Sequence, residues 1–285
     1  MKILAIGDFH GKIPERLKKI LLKREYDCIL CNGDFPESEK IRKLIFKNWT
    51  EKPWWEVIGM KKARLIERES FNSGVKILKQ LNSLGKKIYI VWGNTDFYER
   101  AKKRKSKAKS PISPGDYKKT IRKLKNIILI DRKKAKINNL EIIGHGRYVD
   151  VTEFIRHPID KDKDAIEYRE KRYNKDKKIL FRLFKRNKPE NFIFLTHYTP
   201  YKILDKIKLK SSPMHGKPAG FEPYNQIIKK YSPILAVCGH MHENPGKKML
   251  GKTLIVNPGP AFEGKAALID IDEAKKKVKS IKFFR

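Results

Sequence analysis

The sequence predicts an α/β fold, a two-sheet sandwich with helices on its outer faces (αββα). Three observations predict it: short β-rich apolar runs recur along the chain, helical periodicities fall between them, and the last stretch is rich in strands. Five runs carry the pattern, at residues 2–7, 27–33, 87–93, 192–196 and 233–239. Unbroken apolar runs of this length suit strands covered on both faces.

Helices are expected in between. Residues 14–23 open with Pro14, tolerated in a first turn, and repeat Leu17, Ile20 and Leu21 at helical spacing. Residues 63–84 repeat Leu65, Ile66, Val75, Leu78 and Leu81, and 222–230 precede the fifth run. Residues 253–256, 265–271 and 278–284 read as strands that close a second sheet, with a turn at 257–260. Two segments fall outside the alternation: 36–58, with Trp49, Trp54 and Trp55, and the charged stretch 147–188. Both are expected as insertions in a single domain spanning 1–285, shaping a cleft at the loop end of the strands.

The net charge of +35 attracts phosphates, whether on nucleic acid, anionic lipid or a small substrate. Lys, Glu and Ile are abundant while Gln occurs only at 80 and 226, a thermophile-like composition that accounts for much of the charge. Nucleic acid stays open as a partner. Three cysteines are too few for a disulfide framework. Cys28 and Cys31 sit three apart on a strand, so they face opposite sides and share no metal. Nothing resembles a signal peptide and no run is long enough to span a bilayer, so a cytoplasmic protein is expected.

Each of the five runs ends in residues able to bind metal: Asp8 and His10, Asp34, Asn94, His197, and His240 with His242. In open α/β sheets the site lies beyond the carboxyl ends of the strands. One such fragment is uninformative, but five at strand ends form a set. Seven donors would be costly to bury together unless a cation organises them. The glycines before Asp8, Asp34, Asn94 and His240 are expected to permit sharp turns there.

Asp8-Phe9-His10, Gly33-Asp34, Gly93-Asn94-Thr95-Asp96, His197 and Gly239-His240-Met241-His242 resemble, in order and type, the calcineurin-like metallophosphoesterases. The resemblance runs from residue 1 to about 271 apart from the two insertions. The stretches 196–200, 239–243 and 257–260 are most similar to the small prokaryotic, Icc-related branch. The resemblance implies a phosphodiesterase or phosphatase with two divalent ions. Asp8, His10, Asp34 and His242 would hold the first; Asp34, Asn94, His197 and His240 the second, with Asp34 bridging. Mixed imidazole and oxygen donors suit Mn²⁺, Fe²⁺, Zn²⁺ or Ni²⁺. A hydroxide bridging the ions would attack a phosphate-ester substrate in line, with Asp34 and Asn94 at the reacting group. Asp96 would orient a ligand from behind.

Many relatives carry a histidine after the Gly-Asn pair that protonates the leaving oxygen; this chain has Thr95, a poor acid. Either the leaving group departs unaided, or His145 or His215 serves as proton donor or phosphate contact. A nuclease on the same fold is the alternative, with Trp49, Trp54, Trp55 and Tyr98 stacking bases; a weakly active interaction scaffold is another. Residues 100–125 hold twelve Lys/Arg against one acid, Asp116. They read as a solvated loop or as a basic rim that draws phosphates inward.

Overall fold

The structure, a computed structural model, describes residues 1–23, 25–47, 53–96, 115–159, 161–210, 212 and 214–285. Its first half runs β1 (Lys2–Ile6), α1 (Glu15–Lys23), β2 (Cys28–Cys31), α2 (Glu39–Lys47), α3 (Trp54–Ile58), α4 (Met60–Asn82), β3 (Lys87–Ile90), α5 (Tyr117–Ile121) and β4 (Ile127–Leu129). The second half continues with β5 (Lys133–Ile137), β6 (Leu140–His145), α6 (Thr152–Arg156), α7 (Lys163–Asn187), β7 (Phe192–Thr196), α8 (Glu222–Tyr231) and β8 (Leu235–Val237). It ends with β9 (Gly246–Leu250), β10 (Thr253–Asn257), β11 (Ala266–Asp272) and β12 (Lys277–Phe284). The strands form two mixed six-stranded sheets, ordered β12-β11-β1-β2-β3-β4 and β5-β6-β7-β8-β10-β9.

Period-two alternation stacks these sheets. Ile3 and Ala5 of β1 join Leu30, Val91, Ile193, Leu195 and Val237 in a core between the sheets. Leu4 and Ile6 point the other way, onto Leu17 and Leu21 of α1 and Ile77, Leu78 and Leu81 of α4. β7 repeats the scheme: Phe192 and Phe194 face Leu180 and Phe184 of α7 and Tyr224 of α8. Helix, sheet, sheet, helix follows, as expected, and explains why these strands are apolar on both faces. Each buried Leu, Ile or Phe stabilises by about 1.5–3 kcal/mol relative to exposure. No helix among the described residues is long and apolar enough to cross a membrane.

The structure differs from the sequence reading in several places. Strands β11 and β12 do not extend the second sheet: β11 pairs antiparallel with β1, and β12 with β11. Parallel β2 covers only one edge of β1, so its other edge needs a partner to satisfy its backbone. Strands β4, β5 and β9 went unread because they are short sheet edges, two of them lysine-rich and exposed. Residues 147–188 form the crossover between the parallel neighbours β6 and β7, where α7 buries Tyr173, Leu180 and Phe184. Within 36–58, α3 packs on α4 through Trp54, Trp55 and Ala63. Of the basic stretch, 100–114 lies outside the described residues. Asp116 caps α5, accepting the Lys118 N–H at 2.8 Å.

Candidate metal centre

The loops following β1, β2, β7 and β8 bring six titratable donors together in two groups. Asp8, His10 and His242 place their ligand atoms within 4.8 Å of one another, and Asp34, His197 and His240 do the same. Asp34 stands between the groups: its Oδ2 is 3.8 Å from His10 Nε2 and 3.6 Å from His197 Nε2. Asn94, from the loop after β3, sets its Oδ1 2.8 Å from His197 Nε2. All seven strand-end residues thus meet, and the described contacts involve no other histidine.

The backbone turns at the candidate ligands themselves. Asp8, His10, Asp34 and His240 have φ of 55, 42, 57 and 65°, the left-handed region. Each such non-glycine residue costs roughly 1–2 kcal/mol, and it persists where the surroundings over-determine it. Here cross-loop hydrogen bonds do so: Asp8 N donates to Gly33 O at 2.8 Å, and Phe9 N and His10 N both donate to Asp34 O. Asp96 accepts from Asp34 N, Phe35 N and Gly93 N at 2.6–2.8 Å, tying the β2 and β3 loops together. Of the four glycines expected to make the turns, only Gly33 has positive φ. Gly93 answers to space instead, since a Cβ there would stand 2.0 Å from Asp34 Oδ1.

Hydrogen bonds at the rear of two rings orient them, and one sets a tautomer. His197 Nδ1 lies 2.8 Å from Asn32 O. A carbonyl only accepts, so Nδ1 carries the hydrogen and Nε2 offers its lone pair inward. His10 Nδ1 lies 2.7 Å from Ser38 Oγ, a contact that orients the ring with Nε2 inward while the hydroxyl can donate or accept. His197 Nε2 then opposes Asn94 Oδ1 lone pair to lone pair, and His10 Nε2 faces His242 Nε2 at 3.3 Å. The His197 and Asn94 acceptors repel unless a cation lies between them, so this donor set fits divalent metal.

Electrostatics point the same way. Burial pushes Asp8 and Asp34 up, but the surrounding histidines outweigh it and both carboxyls end below their ordinary value. Burial, reinforced by His197, pushes His240 down to about 3, and burial lowers His10 as well. At neutral pH these groups therefore stand as carboxylate and neutral imidazole, the forms that bind metal. Burial lowers His242 too, but Asp8 outweighs it and the net shift is upward. Asp96 is pushed well above its ordinary value, by burial first and then by Asp34.

His145 is fully buried with Nδ1 2.9 Å from Tyr224 Oη, under α8, and belongs to neither donor group. Burial, then Arg132 and Arg147, holds its pKa well below the usual range. His215 is exposed on the loop before α8. Trp54 and Trp55 are buried, at 4% and 7% exposure, and so offer no free face to a base; Trp49 and Tyr98 lie outside the described residues. Sequence reading missed Ser38, Tyr198 and Phe262. Tyr198 stacks on His240 with centroids 4.0 Å apart, and Phe262 meets His10 and His242 at 5.4 and 5.3 Å. Adjacency to His197 was a signal for Tyr198. Phe262 had none, because it arrives through its N–H bond to Asp8 O.

A family model for calcineurin-like phosphoesterases matches residues 1–244, a span that includes every candidate ligand. A Methanocaldococcus jannaschii protein described as uncharacterized is 23% identical over 282 residues, 96% of each chain. One crystal structure superposes with a TM-score of 0.65 at 22% identity, covering 100% of this chain and 98% of its own. A dimetal phosphatase from Danio rerio superposes with a TM-score of 0.51 at 8% identity, over 95% of this chain and 92% of its own. The two structural likenesses show a shared fold.

Proposed function

The chain belongs to the calcineurin-like phosphoesterase family, and on that premise we propose that it is a dinuclear metal-dependent phosphodiesterase or phosphatase in a single domain. The observation that carries this reading is Asp34, whose Oδ2 faces His10 of one donor group and His197 of the other. Asp8, His10, Asp34 and His242 hold one ion on this reading, and Asp34, Asn94, His197 and His240 the other. Divalent ions of the Mn²⁺, Fe²⁺, Zn²⁺ or Ni²⁺ kind would supply Lewis acidity toward the phosphoryl group and acidify a water.

The chain's own residues do the rest. Ser38 and the Asn32 carbonyl hold His10 and His197 with Nε2 inward, and Asp96 keeps the two ligand loops in register. Asn94 offers its amide to the phosphoryl oxygens. Thr95 gives its hydroxyl hydrogen to Asp34, which leaves none for the leaving oxygen. His145, neutral and bonded to Tyr224, is poorly placed to supply one. The reading therefore favours esters whose leaving oxygen is already acidic, such as aryl esters and activated diesters.

The test is hydrolysis of p-nitrophenyl phosphate and bis(p-nitrophenyl) phosphate by protein loaded with each metal in turn, beside a chelated control. Elemental analysis of the same samples counts the ions. Chelator-sensitive hydrolysis with two ions per chain supports the reading; no hydrolysis with any metal sinks it.

A further inference from the structure

Tyr148 and Tyr168 are large side chains left exposed, at 43% and 42%, and both flank one guanidinium. Arg172 Cζ lies 4.4 Å from the Tyr148 ring centroid and 5.1 Å from that of Tyr168. Asp150 holds it through two hydrogen bonds of 2.7 and 2.8 Å, a bidentate pair that fixes the guanidinium plane. Tyr168 and Arg172 are one helical turn apart on α7, so their contact is local. Tyr148 comes from the loop after β6 and needs its own anchor.

That anchor is the backbone leading to Asn94. Gly146 sits where a Cβ would stand 2.1 Å from Trp92 O, and Arg147 N donates to the same oxygen. Arg147 adopts a φ of 77° while its guanidinium grips Asp131. A strained residue held this firmly is common beside functional sites. Trp92 is followed directly by Gly93 and Asn94, so the loop carrying Tyr148 is pinned to the loop carrying a ligand. On its other side Tyr148 meets Tyr198 edge-on, centroids 6.4 Å apart, and Tyr198 stacks on His240. A run of rings leads from the candidate metal centre out to an exposed aromatic surface backed by a fixed cation.

We propose that Tyr148, backed by Arg172, is a subsite that seats a planar aromatic group of the phosphoester, a nucleobase or an aryl ring. The inference rests on the phosphoesterase reading and narrows its substrate class. Tyr148 takes the stacking role that buried Trp54 and Trp55 do not fill. Stacking of a base on an aromatic side chain is worth roughly 5- to 150-fold in affinity and needs no hydrogen-bond match.

The test is calorimetric titration of the Mn²⁺-loaded protein with methyl phosphate, phenyl phosphate and AMP. Phenyl phosphate and AMP should bind more tightly than methyl phosphate. Tyr148→Leu should lose about tenfold for those two and nothing for methyl phosphate, while Tyr148→Phe keeps the preference. AMP ahead of phenyl phosphate identifies a nucleobase subsite; equal affinities identify one for any aryl ring. Equal loss for all three ligands in Tyr148→Leu, or loss for none, overturns the subsite and leaves the phosphate site standing. If none of the three binds the wild type, the phosphoesterase reading and the subsite fall together.

Discussion

The Thr95 hydroxyl donates to Asp34 Oδ1 at 2.8 Å, and the Thr95 amide donates to the same oxygen at 2.9 Å. One carboxylate oxygen is thereby satisfied and the other, Oδ2, is left facing the histidines. Thr95 thus clamps the carboxylate through both its amide and its hydroxyl. Thr95→Val keeps the shape and removes one donor to a buried carboxylate, an interaction worth about 1.5–3 kcal/mol. Metal affinity should fall about 10- to 100-fold in Thr95→Val and be retained in Thr95→Ser. Competition against a metal indicator measures it, and unchanged affinity in Thr95→Val would show that the amide suffices.

Asp34 and His197 should differ in what their loss removes. On the proposed division of ligands Asp34 is shared between the two ions, so in Asp34→Asn hydrolysis should vanish and both ions should be lost. His197→Ala touches one group, and one ion should remain. Elemental analysis after gel filtration separates the cases. Loss of both ions from His197→Ala contradicts the proposed division of ligands.

The leaving-group preference can be read from a series of esters. With the Thr95 hydroxyl committed to Asp34, the rate should fall steeply as leaving-group pKa rises, since general acid help is worth about 10²–10⁴-fold. Thr95→His should recover part of the rate for alkyl esters. A flat dependence in the wild type, with chemistry limiting, would reveal a proton donor, and His215→Ala would be the next variant to assay.

His145 predicts an acid-sensitive fold. Its folded pKa lies well below the ordinary 6.5, so below that pH the unfolded chain takes up a proton that the folded chain refuses. Stability should therefore decline as pH drops through 6.5, by about 1.4 kcal/mol per pH unit for one proton, until the folded value is reached. Above 6.5 the group contributes no slope. Urea denaturation of His145→Gln should show a shallower decline than the wild type. Equal slopes would mean that His145 takes up its proton without unfolding.

Much of the candidate metal centre was legible because its chemistry is local. Asp8, Asp34, Asn94, His197 and His240 each follow an apolar run within a residue or two, and a strand end is where an α/β sheet displays its loops. The same locality hid other features. β5 and β9 are edges whose lysines face solvent, so they carry no apolar signature. Trp54 and Trp55 looked available for stacking because their burial depends on α4, and His145 looked like a donor because its partner Tyr224 lies 79 positions away.

By itself, then, the sequence determined the strand and helix periodicities, the donor set and its order along the chain. Those follow from residue type and short-range spacing. Tertiary structure alone decided which donors meet, since His10 and His242 lie 232 positions apart, and it alone turned Thr95 toward Asp34 and Tyr148 toward Arg172. Such meetings are set by which strands pair and how the loops beyond them are tied, and no window of sequence contains both partners.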